Sequence, residues 1–273
     1  MKINNRIISK IMFSVLATIC LSASNCQSGE LLREIRTEQR KLPHVTQNQV
    51  MQNVFRNYDN LNKEVKDTLD TIWNNDAGNL LLRRLYKVIK NDKQRLTILW
   101  DTCDKEGNSN LFCHDMTVYL DTRKFGQCIG YRNGELCTLP ETLDDVLFHE
   151  MMHGLHKLTG ENDTDGYDVI NHLHKFPNNM TIFNECCKVW TNNEEVHTIT
   201  GLYLGVDGKL HFDCLNTNSY MVLKALKNGT PINRIIQRVF HCDYTGLQDI
   251  SKSCRNKIKN IVIPQKKYLD IKI

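Results

Sequence analysis

His149-Glu150-Met151-Met152-His153 is the stretch on which the reading of this chain turns. On an α-helix, residues four apart differ by about 40° in direction and roughly 6 Å in height. Both imidazoles therefore point the same way and can share one Zn²⁺ at about 2.0–2.1 Å each. Glu150 follows the first histidine, where its carboxylate can hold a metal-bound water without ligating the metal. The arrangement is that of a zinc hydrolase, provided the stretch is helical.

The flanks predict that helix. Thr142 before Leu143, Asp144 and Asp145 reads as an N-cap with an acidic first turn, suited to the positive end of the helix dipole. Leu143, Val146, Leu147, Met151, Leu155 and Leu158 recur at helical spacing, and Gly160 is placed to stop the helix.

Two histidines and a water leave a catalytic zinc one protein ligand short. A metzincin continuation fails, because Lys157 and Gly160 stand where that pattern needs Gly and His. His156, His172 and His174 are loose candidates that read equally well as surface residues. The segment Asn193-Glu194-Glu195-Val196-His197-Thr198-Ile199-Thr200-Gly201 offers two adjacent carboxylates, which on composition alone could be a solvated helix start. Neighbours on a helix diverge by about 100°, so only one of the two can face a metal, and periodicity does not choose between them.

HEMMHGLHKLTG followed some forty residues on by EEVHTITG resembles the signature shared by the clostridial neurotoxin light chains and a family of bacterial secreted-effector zinc metallopeptidases. The resemblance covers residues 143–201 and extends weakly to Asn228-Gly229-Thr230-Pro231-Ile232-Asn233-Arg234. It implies His149, His153 and Glu195 on Zn²⁺, Glu150 as general base, and Glu194 behind the ligands, orienting a histidine or structuring the helix. Arg234 would steady the oxyanion. The tyrosine that usually follows that arginine is missing: Ile235 and Ile236 stand there, the next tyrosine is Tyr244, and Arg238 competes for the role.

Around this centre the expected fold class is α+β and zincin-like. Residues 46–92 carry apolar residues at helical spacing, broken near Asn60 and at Asn74–Gly78, which predicts three helices. Strand signals follow at Arg95–Trp100, Met116–Leu120 and Gln127–Thr138, the last a hairpin around Asn133-Gly134. They predict a small antiparallel sheet before the active-site helix, whose edge could bind an extended substrate by strand addition. Helices are expected over residues 181–198 and 217–228, and a hairpin over 202–212. The acidic stretch around Gly166 is a poor EF-hand and reads as an exposed loop.

Residues 1–24 read as a signal peptide: Lys2, Arg6 and Lys10, then the apolar run Ile11–Leu21, too short to span a bilayer, then Ser22-Ala23-Ser24. Cys26 permits a lipoprotein reading, against which Asn25 makes a poor lipobox. Residues 25–45 read as a polar linker and 46–273 as the catalytic domain. Beyond the signal, 32 Lys and Arg balance 31 Asp and Glu, so nothing demands nucleic acid, and no later segment is apolar enough to be an integral membrane span. Ten cysteines remain, without a CxxC, and in an exported chain they read as disulfides, with Cys103–Cys113 and Cys128–Cys137 as local staples. The expected function is a secreted, zinc-dependent endopeptidase acting on protein or peptide. The alternatives are a zinc hydrolase of a non-peptide amide or ester, and an inactive binding protein on the same fold.

Overall fold

The computed structural model describes residues 29–100, 102, 110–112, 116–120, 127–132, 135–161, 192–230 and 237–238. It is α+β, with helices in the majority and small sheets beside the central helix.

The first helix, α1 (29–40), lies where the sequence reads as polar linker. Leu31, Ile35 and Leu42 are all buried in the core, at 1%, 0% and 8% exposure. One or two apolar residues per turn in a polar stretch is too sparse to register as a period, yet it suffices to dock a helix whose other faces are solvated. Gln39 adds a hydrogen bond from its side-chain amide to the Asp76 carbonyl, 2.7 Å.

Three helices follow as their spacing predicts: α2 (Gln47–Val54), α3 (Lys63–Trp73) and α4 (Asp76–Val88). Each starts on a polar cap. Thr46 and Gln49 form a capping box on α2, while Asn62 and Asn75 accept backbone N–H groups at the starts of α3 and α4. Val50, Val65, Leu69, Ile72, Leu80, Leu81 and Leu85 are fully buried. The α3–α4 turn is tight enough that a Cβ on Gly78 would lie 2.0 Å from the Ile72 carbonyl oxygen, so this helical position requires glycine.

The strands are β1 (Thr97–Trp100), β2 (Asn110–Phe112), β3 (Thr117–Leu120), β4 (Gln127–Arg132), β5 (Glu135–Pro140), β6 (Leu202–Leu204), β7 (Leu210–Phe212) and β8 (Gln237–Arg238). β4 and β5 pair antiparallel around the expected turn, and β8 adds to β4. The sheet ahead of them departs from expectation: β1 runs parallel to β3, with β2 antiparallel on the other edge of β3. Residue alternation marks a strand but carries no direction, and the pairing here is decided by the order β1-β3-β2. The β4–β5 register sets Cys128 opposite Leu139 and Cys137 opposite Gly130. The side chains of both cysteines lie outside the described residues.

Helix α5 (Leu143–Thr159) runs through the middle of the domain. The Asp145 carboxylate accepts the Thr142 backbone N–H at 3.2 Å, and Gly160 closes the other end at φ 79°. Its apolar residues Leu147, Phe148, Met151 and Met152 are fully buried, with Phe148 stacked on Tyr220 at 4.4 Å between ring centroids. Two short helices complete the fold, α6 (Asn193–Thr200) and α7 (Thr217–Lys227), separated by the β6–β7 hairpin. The α5 and α7 ends are tied by Lys224, which pairs with Asp144 at 2.7 Å and Asp145 at 2.8 Å. Among the described residues, no helix is long and apolar enough to cross a membrane.

Candidate metal centre

His149 and His153 come from successive turns of α5, and Glu195 comes from the first turn of α6. Asn192 caps α6 by accepting the Glu195 backbone N–H at 3.0 Å. At the other end Gly201 adopts φ 77°, and a Cβ there would lie 2.2 Å from the Asp213 carbonyl oxygen. Glycine after Thr198-Ile199-Thr200 thus lets the β6–β7 hairpin close directly against α6. All eight residues of α6 are buried, both glutamates included.

Two ring nitrogens and one carboxylate converge between the two helices. The Nε2 atoms of His149 and His153 are 3.1 Å apart. Glu195 presents one carboxylate oxygen 3.3 Å from His149 Nε2 and the other 3.2 Å from His153 Nε2. In a tetrahedron of ligands about 2.0–2.1 Å from zinc, the ligand–ligand edge is about 3.3 Å.

The opposite ring nitrogens carry the protons. His153 Nδ1 donates to Glu194 Oε1 at 2.8 Å. His149 Nδ1 lies 3.2 Å from the Thr217 hydroxyl, which itself donates to the Thr198 carbonyl at 3.0 Å and so is an acceptor toward the histidine. With both Nδ1 atoms protonated, both Nε2 lone pairs face each other and a carboxylate in a buried space. Such a donor set repels itself unless a cation sits at its centre, and it fits a divalent metal.

The same crowding sets the titration of the metal-free groups. Burial, reinforced by the Arg238 charge, pulls His149 well below its ordinary value despite Glu195. Burial also disfavours the charge on His153, but Glu195, Glu194 and Glu150 outweigh it and hold the group well above its ordinary value. Burial alone would raise Glu194; the hydrogen bonds from His153 and His156 overcome it and bring the carboxyl down to about 2.

Glu150 follows His149 on α5 and is 3% exposed, less accessible than the freely solvated carboxylate that a helix-surface position suggests. Its depth is a consequence of α5 being covered on nearly all sides. Arg238, on β8, is also buried and pairs with Glu141 at 2.9 Å. Asn218 on α7 holds it by a two-way exchange with the Arg238 backbone, 2.8 and 2.6 Å. Arg234, His172, His174 and the acidic stretch around Gly166 lie outside the described residues, as do residues 1–28 and the side chains of every cysteine but Cys214. Cys214 is a buried free thiol.

A model of the Peptidase_M91 family, described as effector protein, matches residues 47–219. The chain belongs to this family. The matched span begins at α2 and ends within α7, and so includes all three α5 histidines, Glu150, both α6 glutamates and Thr217. No curated protein and no solved structure matches the chain. As a member of this effector peptidase family, the chain carries its converging donors inside the family's own segment, with Arg234 and Arg238 beyond it.

Two contributors to the centre, Thr217 and His197, escape a reading of the sequence, and a third, His156, is placed beside the site but in another role. Thr217 holds a histidine from 68 residues away, and a threonine at a helix start carries no signal of that role. His197 lies behind Glu194, its ring stacked on His156 at 4.1 Å and 8°. His156, a loose candidate for the third ligand, has its Nδ1 on Glu194 Oε1 at 2.8 Å instead. Its place three residues after His153 and the periodicity of α5 are the signals that could have put it beside the site.

Proposed function

We propose that this chain is a zinc-dependent endopeptidase with a zincin-like centre, in which His149, His153 and Glu195 hold the metal and Glu150 is the general base. The observation that carries the reading is the convergence of two imidazole nitrogens 3.1 Å apart with the Glu195 carboxylate, whose two oxygens lie 3.2 and 3.3 Å from them, with both Nδ1 positions already engaged. Membership of a peptidase family supports a peptide bond as the substrate.

Zinc bound there would lower the pKa of a water toward about 7 and polarise the scissile carbonyl. The residues of the chain do the rest. Glu150, one position after His149, takes the proton of the attacking water and passes it to the leaving amine. Glu194 and Thr217 hold the two imidazoles in the tautomer that leaves Nε2 open. A cation steadies the oxyanion: Arg234 holds that role by resemblance, and Arg238, whose charge is felt at His149, is the second candidate. The substrate is a protein or extended peptide. The sequence of residues 1–24 supports export of the chain, with most of its cysteines paired in disulfides.

The test is a digest of a denatured protein mixture by the wild-type protein, with and without a chelator, read by mass spectrometry of the new termini. New termini that vanish on chelation and return with zinc are expected. Termini that persist through chelation, or none in any condition, would refute the assignment.

A further inference from the structure

We infer that His156 is a positioning residue, whose Nδ1–H fixes the Glu194 carboxylate and through it the aim of His153. The inference rests on the metal reading above.

Glu194 Oε1 receives donors from three side chains: His153 Nδ1 at 2.8 Å, His156 Nδ1 at 2.8 Å and the Thr198 hydroxyl at 3.1 Å. Thr198 lies one turn further along Glu194's own helix, and its hydroxyl reaches α5 only at the same two nitrogens, 3.3 Å from His153 Nδ1 and 3.3 Å from His156 Nδ1, so its bond adds no tie to α5 beyond those histidines. The other two donors cross to α5. One of them belongs to His153, the residue to be held. His156 is therefore the only one of the three that fixes the oxygen relative to α5 independently of the ligand. Without it the carboxylate would follow His153 instead of restraining it.

His156 is itself well held. It is 1% exposed, and its ring lies flat on His197 at 4.1 Å between centroids. The His197 ring in turn lies 4.7 Å from Tyr203 on the β6–β7 hairpin. The trio His156, Glu194 and His197 has the composition of a second metal site. Its geometry is that of a brace: two imidazoles 8° from parallel send their lone pairs along lines that do not meet at one ion.

Two substitutions separate the hydrogen bond from the packing. His156→Phe keeps a flat ring against His197 and removes the donor; His156→Asn keeps an N–H near the Nδ1 position and removes the ring. Zinc affinity of each purified protein is measured by competition with a chromogenic chelator. The expected result is binding about tenfold weaker in His156→Phe, the lower end of the loss typical for partners behind a metal ligand, with binding close to wild type in His156→Asn. Zinc bound as tightly by His156→Phe as by wild type would overturn the inference, as would equal losses in both variants, which would make the ring's packing the cause. A wild-type protein that binds no zinc would overturn the metal reading itself, and this inference with it.

Discussion

Two trios of identical composition, each of two histidines and one glutamate, sit side by side between α5 and α6. His149, His153 and Glu195 turn two ring nitrogens and a carboxylate toward one another, with the donor sides of both imidazoles satisfied from behind. His156, Glu194 and His197 do the opposite: the carboxylate collects donors and the rings stack. A shift of one residue along α6 and of three along α5 separates the converging face from its support. Composition is the same in both, so the direction of the lone pairs makes the difference.

The harshest way to break the contrast is to remove the group the first trio serves. Glu150→Gln should lower hydrolysis by about 10³-fold or more while zinc stays bound, since a carboxamide cannot take the water's proton. Near-normal turnover in peptide-cleavage assays would put the general base elsewhere. Next comes the pair of adjacent glutamates. Glu195→Gln should lose most of its zinc on dialysis, whereas Glu194→Gln should keep the site with an affinity about 10–100-fold lower. Metal analysis of both proteins decides it, and the reverse pattern would exchange the roles of the trios.

A finer probe is Thr217→Val, which removes the acceptor behind His149 and leaves the side-chain shape almost unchanged. Zinc affinity should fall by about tenfold, at the low end of such effects. An unchanged affinity would show that His149 is aimed by packing alone.

The smallest effect expected is on the pH dependence of the metal-free fold, and it belongs to the second trio. Burial, with the neighbouring His156, brings His197 down to about 3 in the folded protein, and Glu194 stands at about 2. Both groups bind fewer protons folded than unfolded, so the stability they contribute is present above their unfolded values and is lost on acidification. The window runs from the unfolded histidine value of 6.5 down through about 3 for His197, and from 4.5 down to about 2 for Glu194. Melting curves of the apoprotein should therefore fall steadily as pH drops below neutrality. In His197→Phe the upper part of that decline should flatten.

Much of the fold is legible in the chain. The caps Thr46, Asn62 and Thr142, the apolar stripes of α3 to α5 and the stop at Gly160 are local signals, and local signals survive in sequence. What failed was non-local. The helix at 29–40 forms because a core is there to receive Leu31 and Ile35, and β1 pairs parallel with β3, a direction that residue alternation within either strand does not carry.

The shared face of His149 and His153 follows from sequence alone, because i and i+4 on one helix face is a property of the helix. So does the presence of a carboxylate pair downstream. Which glutamate faces the histidines is a matter of how α6 lies across α5, fixed by the Gly201 turn and by the Thr217 hydroxyl that joins the Thr198 carbonyl to His149. Only the packed fold could assign His156 and His197, since a histidine that ligates and one that braces differ in where their nitrogens point, and residue spacing does not encode that.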